Sequence, residues 1–260
     1  MDLQLAGRKA IVCASSQGLG FACAVALARE GVEILINGRD AEKLNRARMN
    51  LLKEIPAAVV KPVVADLLSE SGRDALVAAC PEADIVVNNN AGPPPGRLEE
   101  WDRLAWLQAI EANMIAPLMM IRALVPGMRA RRFGRIVNIT SAMVKSPRYA
   151  MALSTAARAG LTAACKAISV EIAADNVTIN NLLPERIDTP RQAFMAERMM
   201  KAQSITREVA RAQIAASIAA KRFGTPEEFG AACAFLCGSQ AGFISGQNVQ
   251  LDGGSYPGLV

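Results

Sequence analysis

The stretch Ala14-Ser15-Ser16-Gln17-Gly18-Leu19-Gly20 carries the clearest chemistry in this chain of 260 residues. An apolar run, Ala10-Ile11-Val12-Cys13, precedes it, and an Ala- and Leu-rich segment at 21–30 follows. A strand, a glycine turn and a helix start in that order make a phosphate cradle. The first helical N–H groups lack partners, the dipole favours an anion, and glycine lets that anion approach the backbone. A plain strand-to-helix connection would read the same way in isolation. A second apolar run at 32–36 completes a βαβ unit and favours the cradle. Polar residues also close the other apolar runs: Gly38-Arg39, Asp66, Asn89 to Gly92, Thr140-Ser141 and Pro184 to Thr189.

The elements that must hold these residues alternate along the chain. Short apolar runs predict strands at 10–13, 33–37, 58–64, 85–88, 135–139, 178–183 and 248–251. Helical patterning falls at 18–30, 40–53, 69–79, 100–131, 151–174, 190–219 and 226–237. Seven strands with helices between them predict an α/β fold: a single Rossmann-like domain over 1–260 with a doubly wound parallel sheet. In such sheets the ligand lies beyond the carboxyl ends of the strands, where the polar residues above collect. The 52% hydrophobic content with only 4% aromatics predicts an aliphatic core and no disordered tract.

Composition also narrows the partners. Six cysteines without metal spacing, and no histidine, argue against a zinc site and for buried thiols. The amino terminus has no leader pattern, and no run reaches the roughly 18 apolar residues of a membrane span, so a soluble cytoplasmic protein without a membrane partner is expected. The net charge of +5 is scattered; Arg129, Arg131 and Arg132 form its one dense cluster, near a helix end where cations suit the dipole. A phosphate-rich cofactor or an anionic substrate fits that balance, and nucleic acid is not expected.

Taken together, these positions resemble a short-chain dehydrogenase/reductase over essentially the whole chain, in the style of 3-oxoacyl-carrier-protein reductases. The matching pieces are the glycine turn, Asp66-Leu67, Asn89-Asn90-Ala91-Gly92, Asn113, Ser141, Pro184 to Thr189, and Asp252-Gly253-Gly254. The resemblance implies that Ala14, Ser15, Ser16, Gly18, Leu19 and Gly20 form the turn that holds the cofactor pyrophosphate. Asp66 and Leu67 would meet the adenine, and Asn90, Ala91 and Gly92 the adenosine ribose and central strands. Pro184, Ile187 and Thr189 would meet the nicotinamide amide and phosphates. A homotetramer or homodimer is implied, with 190–220 as a lid over a small carbonyl or acyl substrate. The bases at Arg191, Arg198, Lys201, Arg207 and Arg211 would permit an acidic one.

Cofactor choice rests on charge. An NAD-preferring fold places an acid at the end of its second strand, where it binds the ribose 2′-OH. Here that site reads Asn37-Gly38-Arg39, and an Arg fork matches a 2′-phosphate. NADP is expected ahead of NAD.

The catalytic pattern departs from the family. Asn113 and Ser141 stand in place, but the Tyr position is Ser154 and the Lys position is Arg158. Serine has a far higher pKa than a phenol, and arginine does not release its proton, so Ser154 is a poor acid. Arg158 could still donate to ribose hydroxyls and stabilise negative charge. Lys145, Tyr149 or a water relayed by Asn113 could supply the proton; a Lys145 buried beside Arg158 would have its pKa pushed down. Ala14 replaces the first glycine of the turn, tolerable only with negative φ. Glu185 follows Pro184 and would be unfavourable beside a pyrophosphate unless Arg186 or Arg191 pairs with it or it turns away. An NADP-dependent carbonyl/alcohol oxidoreductase is the first expectation; a silent dinucleotide-binding protein and non-redox acyl chemistry are the alternatives.

Overall fold

The computed structural model describes residues 1–259. Seven parallel strands form one sheet in the order β3-β2-β1-β4-β5-β6-β7. They are β1 (Lys9–Val12), β2 (Glu33–Gly38), β3 (Val60–Val64), β4 (Ile85–Asn88), β5 (Gly134–Ile139), β6 (Val177–Pro184) and β7 (Asn248–Leu251). The order reverses between β1 and β4, which pair through Val12 and Val87. A crevice therefore opens beyond their carboxyl ends.

Alternate strand residues feed two cores, as the period of two requires. Ala10, Val12, Ile34, Ile36, Ile85 and Val87 face one layer. That layer is built from α1 (Gly18–Arg29), α2 (Ala41–Glu54) and α9 (Pro226–Cys237). Ile11, Cys13, Leu35, Val86 and Ile136 face the other, under α3 (Glu70–Ala79), α5 (Ala116–Ala130) and α6 (Ala152–Ile172). All six cysteines are free thiols, five of them buried.

Two long helical predictions are interrupted. The 100–131 segment splits into α4 (Arg103–Ile110), a π-turn over Glu111–Ile115, and α5. Residues 103–130 are apolar and long enough to cross a membrane by composition. In the fold, α5 buries Met120, Ile121, Leu124 and Met128 in the second core. The 190–219 segment splits into α7 (Pro190–Gln203) and α8 (Arg207–Ala216), because Ser204 turns left-handed and Thr206 caps the second helix.

A ladder of asparagines ties the carboxyl half of the sheet together. Asn88, Asn138, Asn181 and Asn248 are paired in register across β4 to β7. The Asn88 amide donates to Asn138, Asn138 to Asn181, and Asn248 accepts from Asn181, each at 2.9 Å. Buried amides satisfied by one another fix strand register next to the loops that follow.

Candidate active site and cofactor cleft

The cradle begins with a helix that has no side-chain cap. Gln17 is extended, its side chain does not cap α1, and the first turn has no acid. By contrast Asp40, Ser69, Asp102, Thr206 and Thr225 cap α2, α3, α4, α8 and α9. The start of α7, after Thr189, is also without a side-chain cap. The two open starts meet: a Cβ built on Gly18 would lie 4.0 Å from Thr189 Cβ. The uncapped N–H groups of α1 and the two positive dipole ends fit a diphosphate, although α7 itself opens on Pro190, which has no N–H. Gly20 allows α1 to rest directly on the turn, since a Cβ there would lie 2.6 Å from Ala14 O and 2.8 Å from Asn89 Nδ2.

Ala14 corrects the expectation of a negative φ, because it sits at +44°. Two amides hold it there. Asn37 Oδ1 accepts from Ala14 N, and Asn89 Nδ2 donates to Ala14 O, both at 3.1 Å. Ser15 is a brace and its side chain is closed to a ligand: it is fully buried, donates to Val12 O at 2.7 Å and accepts from Asn37 N at 3.0 Å. Ser16 and Leu19 stay half-buried beside the turn.

At the end of β2, Arg39 is exposed and in no ion pair among the described residues. Asp40 turns away to cap α2, accepting from Lys43 N. Asp66 is exposed after β3, with Oδ1 accepting from Leu68 N at 3.1 Å. Leu67 packs its side chain into the second core, as Ile187 does into the first. Only their backbones are left for a ligand.

Ser154 and Arg158 lie one turn apart on α6 and are both buried. Arg158, 8% exposed, has no carboxylate partner among the described residues. Its Nη1 donates to Ile139 O at 2.6 Å and Thr140 O at 3.1 Å, and its Nη2 to Asn90 O at 3.2 Å. Its Nε donates to Ser154 Oγ at 3.2 Å. Four of the five guanidinium N–H groups are thereby committed to protein atoms, which narrows the ribose-binding role expected of it. Burial, with the charge of Arg191 second, holds the guanidinium down at about 10, so it stays charged at neutral pH.

Gly92 lies against this pair: a Cβ there would be 3.4 Å from Ser154 Oγ and 3.5 Å from Arg158 Nη2. Asn90 Nδ2 donates to Ala112 O, and Ala91 N to Asn90 Oδ1, so the turn after β4 is locked to the π-turn. Asn113 sits in that π-turn, a feature frequent at functional sites. Its Nδ2 reaches Ala109 O and Ala91 O, while Oδ1 is buried with no partner among the described residues. Ser141 Oγ, at the end of β5, accepts from Met143 N at 3.2 Å.

The substitute proton donors lie differently from the expectation. Tyr149 is 63% exposed, and its Oη accepts from Leu98 N at 3.1 Å in the outer wall. Lys145 is half-buried, with Nζ over the Tyr256 ring at 5.4 Å rather than in the Arg158 bonding set. The Asp252 carboxylate holds this carboxyl-terminal turn by accepting from Gly254 N and Tyr256 N. Sequence reading missed Tyr256, because no spacing links it to Lys145. Glu185 is paired by Arg148 at 2.7 Å, not by Arg186 or Arg191. Pro184 is half-buried and pairs with Leu251 of β7.

The cleft, its turn and its order of elements match proteins of known kind. A family described as enoyl-(acyl carrier protein) reductase matches residues 13–256. The chain belongs to the short-chain dehydrogenase/reductase family. The NADPH-dependent reductase BacG of Bacillus subtilis is 31% identical over 97% of this chain and 99% of its own length. The structure of L-sorbose reductase from Gluconobacter frateurii with NADPH and L-sorbose is 29% identical, with TM-score 0.94 and 100% of both chains covered. Actinorhodin polyketide ketoreductase with NADPH is 28% identical, with TM-score 0.90 over 95% of this chain and 97% of that one.

Proposed function

We propose that this protein is an NADP-dependent oxidoreductase that interconverts a carbonyl and an alcohol. The observation that carries the reading is the meeting of two open helix starts at Gly18 and Thr189, at the carboxyl ends of a sheet whose β4 and β5 turns lead to Gly92 and Ser141. BacG, L-sorbose reductase and actinorhodin ketoreductase, all named or solved with NADPH, support it. Arg39 at the end of β2, without an acid partner among the described residues, favours the 2′-phosphate form. Bound in the cradle, a reduced nicotinamide supplies the hydride for a carbonyl carbon.

Ser141 orients the substrate oxygen by donating its hydroxyl proton. Arg158 sets a positive potential behind Ser154 that favours negative charge on that oxygen as the C=O bond opens. The proton reaches the oxygen from a water held at Asn113, whose buried Oδ1 can accept from it, and that water takes a replacement proton from bulk solvent; Tyr149 and Lys145 are not the donors. Helices α7 and α8 cover the substrate as a lid. Exposed apolar residues on α6, α9 and the turn before β7 (Val170, Phe235 and Phe243) fit a homodimer or homotetramer.

A second reading draws on one observation: the four committed donors of Arg158 favour a dinucleotide-binding protein that does not turn over. Purified protein with NADPH and a panel of ketones separates the two by nicotinamide absorbance beside a binding titration. Turnover supports the enzyme; binding without turnover supports the second reading. Tyr149→Phe and Lys145→Met should keep full rates, whereas Asn113→Leu should lose them.

A further inference from the structure

Two guanidinium groups grip the same short segment of the cleft wall. Arg158 donates to Asn90 O from the buried side, and Arg191 Nη2 donates to Pro93 O at 3.1 Å from the mouth. Neither has a carboxylate partner among the described residues. Arg191 stands in the first turn of α7, and Arg198 lies two turns on along the same face. Phe194 stands between them, with its ring 5.5 Å from the Arg191 guanidinium and 6.0 Å from that of Arg198. Arg191 thus joins the start of the lid to a wall segment that Arg158 holds from its buried side, and the Phe194 ring lies beside its guanidinium.

Like charges set this close disfavour one another, and burial raises the cost. The arrangement is relieved by an anion between lid and wall. Phosphates of the cofactor belong at the Gly18 and Thr189 helix starts, whereas the bond to Pro93 places Arg191 on the wall that continues from Gly92 beside Ser154 and Arg158. We infer that the substrate is an oxo acid whose free carboxylate is bound by Arg191 at the lid, with the carbonyl directed toward Ser141. This rests on the oxidoreductase reading and names the substrate class for it. Arg191 gives one Nη2 N–H to Pro93 O and keeps the second, which with its neighbouring N–H on the remaining edge of the guanidinium makes the two-point contact that suits a carboxylate.

The test uses 2-oxo-4-phenylbutanoate and its ethyl ester, which share the carbonyl and differ in the charge. Binding of each is followed by tryptophan fluorescence with the protein saturated in NADP, so no turnover is required. The acid should bind roughly tenfold or more tightly than the ester. Arg191→Gln should abolish that preference and Arg191→Lys should keep part of it, both with melting temperatures near wild type. The NADPH dissociation constant of Arg191→Gln should stay within about twofold. Equal binding of acid and ester, or an acid preference that survives Arg191→Gln, overturns the inference. A loss confined to NADPH affinity also overturns it, by assigning the cation to the cofactor phosphates. Failure of wild-type protein to bind NADPH is a different result and counts against the oxidoreductase reading itself.

Discussion

Replacing Ala14 by glycine should stabilise the protein, an unusual direction for a change beside a binding site. Ala14 holds φ at +44° between the amides of Asn37 and Asn89. A left-handed conformation costs an L-residue about 1–2 kcal/mol. Glycine relieves that cost but gives back about 0.5–1 kcal/mol through a freer unfolded chain. The net gain is about 0.5–1 kcal/mol, or a rise in Tm of about 1–4 °C for a chain of this size. Ala14→Val should go the other way by a larger amount, because a branched Cβ tolerates this region least. Thermal and urea unfolding of the three proteins, with NADPH titrated in parallel, reads both effects. The glycine variant should bind NADPH at least as tightly, since the cradle loses only a methyl. If Ala14→Gly is no more stable than wild type, or Ala14→Val is equally stable, the turn stores no strain and the reasoning fails.

Three further outcomes follow from the structure. Asn138→Leu leaves the Asn88 amide and the Asn181 carbonyl buried without partners, and should cost about 2–5 kcal/mol in urea unfolding; a neutral result would mean the ladder contributes nothing. Arg39→Glu should weaken NADPH roughly 10- to 100-fold and leave NADH unchanged or tighter, read as the ratio of dissociation constants; an unchanged ratio would place the 2′-phosphate elsewhere. Glu228 is held at about 2, first by the Arg222 side chain and then by the Thr225 backbone N–H. Its folded value lies below the ordinary 4.5, so its stabilisation is full above that pH and fades as pH falls toward 2. The stability gap between wild type and Glu228→Ala should therefore be constant near neutrality and shrink in acid; a gap independent of pH would show that this carboxylate is not linked to folding.

Much of the fold was legible because strands buried on both faces read as apolar runs and the helices between them carry cap residues. The turn at Ala14 to Gly20 was legible for the same local reason. The Asn113 position could be found, but the π-turn could not, since nothing in Glu111 to Ile115 breaks a helical pattern. Distance in sequence hid the rest. Arg148 reaches Glu185 across 37 residues, and the asparagine ladder joins four strands. The sign of φ at Ala14 depends on Asn37 and Asn89, neither of which adjoins it. Arg158 could be placed by its spacing from Ser141, yet the carbonyls that occupy it come from the ends of two other elements.

The account stands on a dinucleotide diphosphate bound where α1 and α7 begin. A fluorescence titration of NADPH against wild-type protein and a Gly18→Asp variant tests this most directly. The account predicts saturable binding to wild type, and a loss of at least tenfold when a carboxylate is set among those open N–H groups. No binding at millimolar NADPH, or equal binding by both proteins, would contradict it.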